Sequence, residues 1–225
     1  MKKFEVLIVG RGKLANELIE ELRGEAIART LRWEERATSV SEARIVVHAG
    51  SGRELPDVIA YCAMTHSMLF ELSTAGSAIP ETVDFPVIIC PNVNLQMLRF
   101  MAMIRNASRY FKGQAIAITE SHQSSKKTKP GTAIYLANQL GVLESEIRSE
   151  RNPERQRQLF GVPDEYLARH ACHKITIKSP DTEITLETKV LGKTAYAVSL
   201  AEIIAMVAQI NLKAGCHDIV DLVTR

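Results

Sequence analysis

Charge of one sign is missing from this chain: 28 Lys and Arg stand against 26 Asp and Glu, a formal net charge of +2. That is too little to hold a polyanion by itself. Aromatic residues make up only 5%, and no Lys/Arg tract is interleaved with them in the manner of a single-strand groove, so nucleic acid is not an expected partner. Cysteine is scarce too. The four residues Cys62, Cys90, Cys172 and Cys216 lie far apart with no C-x-x-C spacing, which argues against a disulfide framework or a zinc ribbon and makes a reducing cytoplasm the expected compartment. No hydrophobic run is long enough to span a membrane. The opening MKKFEVLIVG turns apolar only briefly and has no signal-like cleavage segment, so it reads as a buried strand. Internal repeats and low-complexity segments are also absent. The 225 residues are 46% hydrophobic, enough for a real core in one large domain or two closely joined smaller ones.

FEVLIVG followed by KLANELIEELRG reads as a buried strand, a glycine turn and a helix with Leu14, Leu18, Ile19 and Leu22 on one face. Further strands are expected at AIARTL, ARIVVHA, MLFELS and PVIIC, with a helix at LPDVIAYCAMTH before MLFELS. Short apolar runs alternating with helices or loops predict a doubly wound, mostly parallel sheet. A long amphipathic helix is expected from Asn94 to Phe111, carrying Leu95, Leu98, Met101 and Ala102 inward, followed by a strand at QAIAITE. The pattern then changes. TAIYLANQLG reads as a short helix with Thr132 as N-cap, and the densely charged Ser145–Arg157 reads as a solvated helix or linker that builds no core. HKITIKS and EITLETKV, joined at PDT, alternate like an antiparallel hairpin, and YAVSLAEIIAMVAQI is an apolar helix able to return to the first domain. The expected architecture is α/β. A dinucleotide-binding domain takes 1–92 plus 198–225, and a smaller α+β domain for substrate binding and oligomerisation takes 93–197.

Gly10-Arg11-Gly12-Lys13-Leu14-Ala15 is a G-x-G-x-x-A turn placed after a strand and opening a helix, the setting that a dinucleotide site requires. Gly10 permits the turn, Gly12 lets a diphosphate approach main chain, and Ala15 keeps helix and sheet close. A purely structural strand-to-helix turn is the plainer alternative. Arg29, Arg32 and Arg36 near the end of the second strand favour the 2′-phosphate of NADPH, while Glu34 and Glu35 suit the ribose hydroxyls of NADH, so the cofactor is NADPH or NADH with a lean to the first. His170, Cys172 and His173 with Cys216 and His217 suggest a zinc site only superficially, because on a strand His173 points away from the other two. They read as core cysteines and surface histidines, with no metal, and Met97, Met101 and Met103 read as core filling.

The loop ESHQSSKKTKPGTA, Glu120 to Ala133, resembles the E-x-H-H-x-x-K-x-D-x-P-S-G-T-A segment of the dihydrodipicolinate (4-hydroxy-tetrahydrodipicolinate) reductases of lysine biosynthesis. STAG (Ser73 to Gly76) is similar to that family's G-T-T-G, CPNVN to its A-P-N-x-S before a long helix, and HDIVDLV to its C-terminal end, in the same order and spacing. The resemblance implies a Rossmann-type domain, a smaller α+β domain whose sheet builds a homo-oligomer, a tetramer or dimer, and a nicotinamide cofactor meeting a small dicarboxylate between them. It assigns His122 and Lys126 to catalysis, and Gln123, Gly131 and Thr132 to substrate. Cofactor binding falls to Gly10, Gly12, Lys13, Leu14, Ala15, Arg32, Ser73, Thr74, Ala75, Gly76, Pro91 and Asn92. Chemistry alone agrees in part: imine reduction needs a proton source beside the hydride donor, which a desolvated Lys or His supplies, and a Gly-Thr helix start suits a carboxylate. The match departs at four places. Gln123 stands for the second histidine, Thr128 for the aspartate, Pro130 joins Gly131 directly, and Asn94 replaces a serine. These departures keep two alternatives open, an imine reductase for another small dicarboxylate and a catalytically silent nucleotide-binding protein.

Overall fold

The computed structural model describes residues 2–36, 42–73, 78–126, 130–192 and 194–224. The chain divides into two compact units, Met1–Arg99 with Tyr196–Arg225, and Phe100–Ala195. In chain order the first unit runs β1 (Phe4–Val9), α1 (Lys13–Glu21), β2 (Ile27–Arg32), β3 (Ile45–His48), α2 (Leu55–Thr65), β4 (Met68–Glu71) and β5 (Pro86–Ile89), after which α3 (Leu95–Ala107) leads onward. The second holds β6 (Ala115–His122), α4 (Gly131–Leu140), β7 (Arg148–Glu150), α5 (Pro153–Phe160), β8 (His170–Ser179) and β9 (Thr182–Leu191). Then α6 (Ala195–Val207), β10 (Gly215–Asp218) and α7 (Ile219–Val223) complete the first unit.

The first sheet is parallel throughout, in the order β10-β5-β4-β3-β1-β2. Strands β1 and β3 end in runs of buried residues on both faces, as a sheet covered on each side demands. One face packs Leu7, Val9, Val46, Leu69 and Val87 against Val58 and Cys62 of α2. Chain order reverses at β1, which lies between β2 and β3, and such a switch point opens a crevice at the carboxyl ends of the strands. Helix α6 returns to this unit as its apolar pattern suggests. Buried Glu17 of α1 accepts the Tyr196 and Ala197 main-chain N–H groups at 3.1 and 3.3 Å, placing a carboxylate at the positive end of α6. The edge strand β10 has no apolar signal in the sequence: Gly215-Cys216-His217-Asp218 is held by pairing with β5 rather than by burial of side chains.

The second sheet is mixed, in the order β7-β6-β8-β9, with β6, β8 and β9 antiparallel and the short β7 parallel to β6. The hairpin β8–β9 forms as its alternation predicts. Ser145–Arg157, expected to build no core, instead supplies β7 and most of α5. Asn152 caps α5 by accepting from Glu154 N and Arg155 N, and Phe160 at its end packs with Val162 and Cys172. Charge density along a segment misleads when one face of a short helix is enough to reach the core.

Three smaller expectations also change. The long helix stops at Ala107 and tightens into a 3₁₀ turn over Ser108–Phe111. Met97 and Met101 are core, whereas Met103 is 48% exposed. Helix α4 opens at Gly131 after Pro130, so Thr132 lies within the first turn and is not its N-cap; a proline has no N–H to satisfy and its fixed φ suits a helix entrance.

Candidate functional site

The glycine turn follows β1 directly. Gly10 has φ +117°, and a Cβ there would meet the Ala49 carbonyl oxygen at 2.6 Å, so only glycine fits. Gly12 is different: a Cβ on it would meet nothing within 4 Å among the described residues. It precedes α1, whose first turn no side chain caps. Bare main chain, open space and the positive end of a helix fit the diphosphate of a dinucleotide. Ala15 is fully buried, closing helix onto sheet, while Lys13 is exposed and Leu14 half-buried.

Around the end of β2 the arginine side chains each have a protein partner. Arg11 donates to Glu34 at 2.9 Å, Arg32 reaches Asn16 Oδ1 at 3.4 Å, and Arg36 stacks 3.9 Å over the Trp33 ring. Both Arg11 and Glu34 are more than half exposed, so this ion pair is weak and exchangeable. Ser73 follows β4 and donates its N–H to Glu71; Pro91 and Asn92 follow β5, where Asn92 accepts from Asn94 N and Asn94 caps α3 by accepting from Met97 N at 3.0 Å. These positions belong to the carboxyl ends of parallel strands. Thr74, Ala75 and Gly76 lie outside the described residues.

In the second unit β6 carries Glu120 and His122 on one face, since strand positions i and i+2 point the same way. Nδ1 of His122 lies 2.6 Å from Glu120 Oε2. Arg151 at the end of β7 grips the same carboxylate twice, Nη2 to Oε1 at 2.6 Å and Nη1 to Oε2 at 3.1 Å. Burial opposes ionisation of Glu120, but hydrogen bonds from His122, Arg151 and Ser149 outweigh it and bring the carboxyl down to about 2. Facing a carboxylate, Nδ1 of His122 carries hydrogen, which leaves the lone pair of the neutral ring on Nε2. Gln156 of α5 donates its amide to the His122 main-chain oxygen at 2.7 Å, fixing the strand where it leaves the sheet.

Beyond His122 the chain turns, Lys126 N donating to the Gln123 carbonyl at 2.9 Å. Burial lowers His122 below the ordinary imidazole range, helped by Lys126 and Arg151 and resisted by Glu120. Burial likewise lowers Lys126, aided by Arg151 and Arg169 against the pull of Glu120. A lysine so placed releases its proton more readily than a surface lysine. Gly131 and Thr132 form the first turn of α4, which no side chain caps among the described residues, and Thr132 is buried. Lys127, Thr128 and Lys129 lie outside the described residues.

Glu120, Arg151, Gln156 and His173 were not anticipated as site residues. Glu120 was visible through its i, i+2 relation to His122; Arg151 and Gln156 depend on the β6–β7 pairing and on α5, which no local signal announces. His170 and His173 are buried, not the surface histidines expected, because both faces of β8 are covered over His170–His173. His170 bridges Ser121 Oγ and the Tyr166 carbonyl. His173 lies edge-on to His122 with ring centroids 5.9 Å apart, and burial drives it down to about 3. Its Nε2 is buried without a hydrogen-bond partner among the described residues. Cys216 is exposed rather than core, being on the edge strand β10, and no cluster able to hold a metal occurs among the described residues.

Residues 97–222 match the family model described as dihydrodipicolinate reductase, C-terminus. The chain is 31% identical to 4-hydroxy-tetrahydrodipicolinate reductase 1, chloroplastic, of Arabidopsis thaliana over 163 residues, 64% of this chain and 47% of that protein. It is 33% identical to a probable chloroplastic 4-hydroxy-tetrahydrodipicolinate reductase 1 of Oryza sativa subsp. japonica over 128 residues, 52% of this chain and 37% of that one. The aligned part thus spans half or less of the length of these curated relatives. In fold, the chain is similar to a dipicolinate-bound dihydrodipicolinate reductase from Paenisporosarcina sp. TG-14, with a TM-score of 0.66 at 15% identity over 96% of this chain and 97% of that one. With more than half of its residues inside the family model, the chain belongs to the dihydrodipicolinate reductase family.

Proposed function

We propose that this chain is an NAD(P)H-dependent reductase that converts dihydrodipicolinate (4-hydroxy-tetrahydrodipicolinate) to tetrahydrodipicolinate, a step of lysine and diaminopimelate biosynthesis. The observation that carries it is the Glu120–His122–Arg151 network beside Lys126, within the region that matches the family model. A reduced nicotinamide, when bound, supplies hydride. Gly10, Gly12 and the first turn of α1 hold its diphosphate by main-chain contact. Lys126 Nζ, its proton loosened by burial, delivers the proton that completes the reduction. His122 presents Nε2 to the anionic substrate, its ring held by Glu120. Gly131 and Thr132 receive a substrate carboxylate at the positive end of α4, and Gln123 offers it a neutral hydrogen bond.

For the coenzyme, Arg32 and Arg36 suit the 2′-phosphate of NADPH, whereas Arg29 is engaged by Glu5, and Glu34 suits the ribose hydroxyls of NADH once Arg11 releases it. The reading also includes assembly of several copies, which light scattering on the purified chain would register as a mass of two or four chains. Its test is an absorbance assay with NADPH and NADH on dihydrodipicolinate freshly made from pyruvate and aspartate semialdehyde, beside a panel of other cyclic imines. Oxidation dependent on dihydrodipicolinate is expected. Oxidation with another imine alone would reassign the substrate, and coenzyme binding without turnover of any imine would favour a silent family member, a reading motivated by Gln123 and Thr128.

A further inference from the structure

A charged pair in the first unit takes no part in the site as described. His48 ends β3 and Glu71 ends β4, directly opposite in the ladder. Their side chains are 0% and 1% exposed, and His48 Nδ1 lies 2.7 Å from Glu71 Oε2. The other ring nitrogen, Nε2, lies 3.0 Å from the Ser51 carbonyl oxygen. A carbonyl has no hydrogen to give. Ser73 N–H donates to Glu71 Oε1 at 2.6 Å; with Oε2 accepting as well, both ring nitrogens of His48 donate, and the ring carries two N–H groups and a positive charge.

The pair sits under the glycine turn. The Cβ directions at Gly10 and Gly50 show the packing: Gly10 abuts Ala49 and Gly50, and a Cβ on Gly50 would meet His48 Nε2 at 3.1 Å and Gly10 Cα at 3.4 Å. The loop is tied further by Ser51 N and Oγ donating to Glu54 Oε2, and by Ala49 N donating to Val9 O. We propose that His48, as a buried imidazolium, is a positioning residue for the dinucleotide turn and couples proton binding to coenzyme affinity. Protonated, it ties β4 to the 49–54 loop on which Gly10 rests and neutralises Glu71. Deprotonated, it frees the Ser51 carbonyl and withdraws its positive charge from beside Glu71, near the place of a diphosphate. The inference rests on the dinucleotide reading of that turn.

The groups facing the pair give the sign. Burial opposes the charge on His48, but Glu71, the Ser51 carbonyl and Glu54 at the head of α2 outweigh it and raise the imidazole above its usual range. Cys90, after β5, is held well above the thiol range by burial, Glu71 and Asp218, so it stays neutral. A raised folded value means the ordering is complete below the unfolded value of about 6.5 and is lost as pH rises through the higher one.

Calorimetry of the full chain with NADH, whose diphosphate does not titrate in this range, from about pH 6 to about pH 10 tests the coupling. Affinity should fall at least about fivefold across that range, the low end of ordinary coupling between two binding events. The fall should vanish in His48→Gln, which is neutral throughout, and should move to lower pH in Glu71→Gln. NADH affinity that is flat with pH in the wild type, or a fall unchanged in both variants, would overturn the coupling; no NADH uptake at any pH would instead overturn the dinucleotide reading. Should both variants misfold, nitrogen NMR of the wild-type histidines decides: one of the six rings should keep both nitrogens protonated above the pH at which an ordinary imidazole loses its proton, and a spectrum with none would overturn the proposal.

Discussion

Glu120 holds His122 in one orientation, and the arrangement has measurable consequences. Glu120→Gln keeps the shape but removes the charge that opposes burial of the His122 cation, so the histidine titrates lower still. Turnover per coenzyme bound should fall by about 10²-fold with coenzyme affinity unchanged, read by steady-state kinetics beside calorimetry. Glu120→Ala should also lower stability by about 3 kcal/mol in urea titration, because Arg151 is left without its buried partner. With its folded value near 2, Glu120 contributes stability that is full above its unfolded value of about 4.5 and lost as pH falls toward 2. The urea midpoint of the wild type should therefore drop in that acid window, and Glu120→Gln should drop less. Lys126→Ala should reduce turnover by about 10²–10⁴-fold while the chain still binds coenzyme. At this scale His122, Lys126 and the glycine turn were legible because their spacing is local. Arg151 was not, since it reaches Glu120 only through the pairing Glu120↔Ser149 of β6 with β7, and a three-residue strand has no periodicity to announce it.

Elements of the first unit follow from their patterns because a parallel sheet covered on both sides writes itself as apolar runs. Helix α5 does not. Its apolar contribution is one residue, Phe160, and its role is carried by polar contacts of Gln156, which bonds main-chain oxygens of both His122 and Glu150. Phe160→Ala should cost about 3–4 kcal/mol in urea unfolding, whereas truncating the exposed Leu159 beside it should cost little. A cost under 1 kcal/mol for Phe160→Ala would show that α5 is the solvated segment its charge suggests. The hairpin β8–β9 shows the converse: its pairing was legible from alternation, but not that its first four residues are buried on both faces, because coverage depends on Phe160 and Val162 from a distant part of the chain.

For the whole molecule, the proposed choice of coenzyme turns on the Arg11–Glu34 pair at the surface. Glu34→Gln should weaken NADH relative to NADPH by about fivefold, as loss of one ribose-facing carboxylate implies, measured as the ratio of kcat/KM with each coenzyme. The family match begins at residue 97, after the glycine turn, and the proposed reduction draws on both. The most direct measurement is label transfer: the chain is given dihydrodipicolinate and NADPH deuterated on the transferring face of the nicotinamide, and the product is weighed. The account predicts tetrahydrodipicolinate carrying one deuterium from the coenzyme in the wild type and almost none formed by Lys126→Ala. Unlabelled product, or coenzyme left intact by folded protein that binds both ligands, would contradict it.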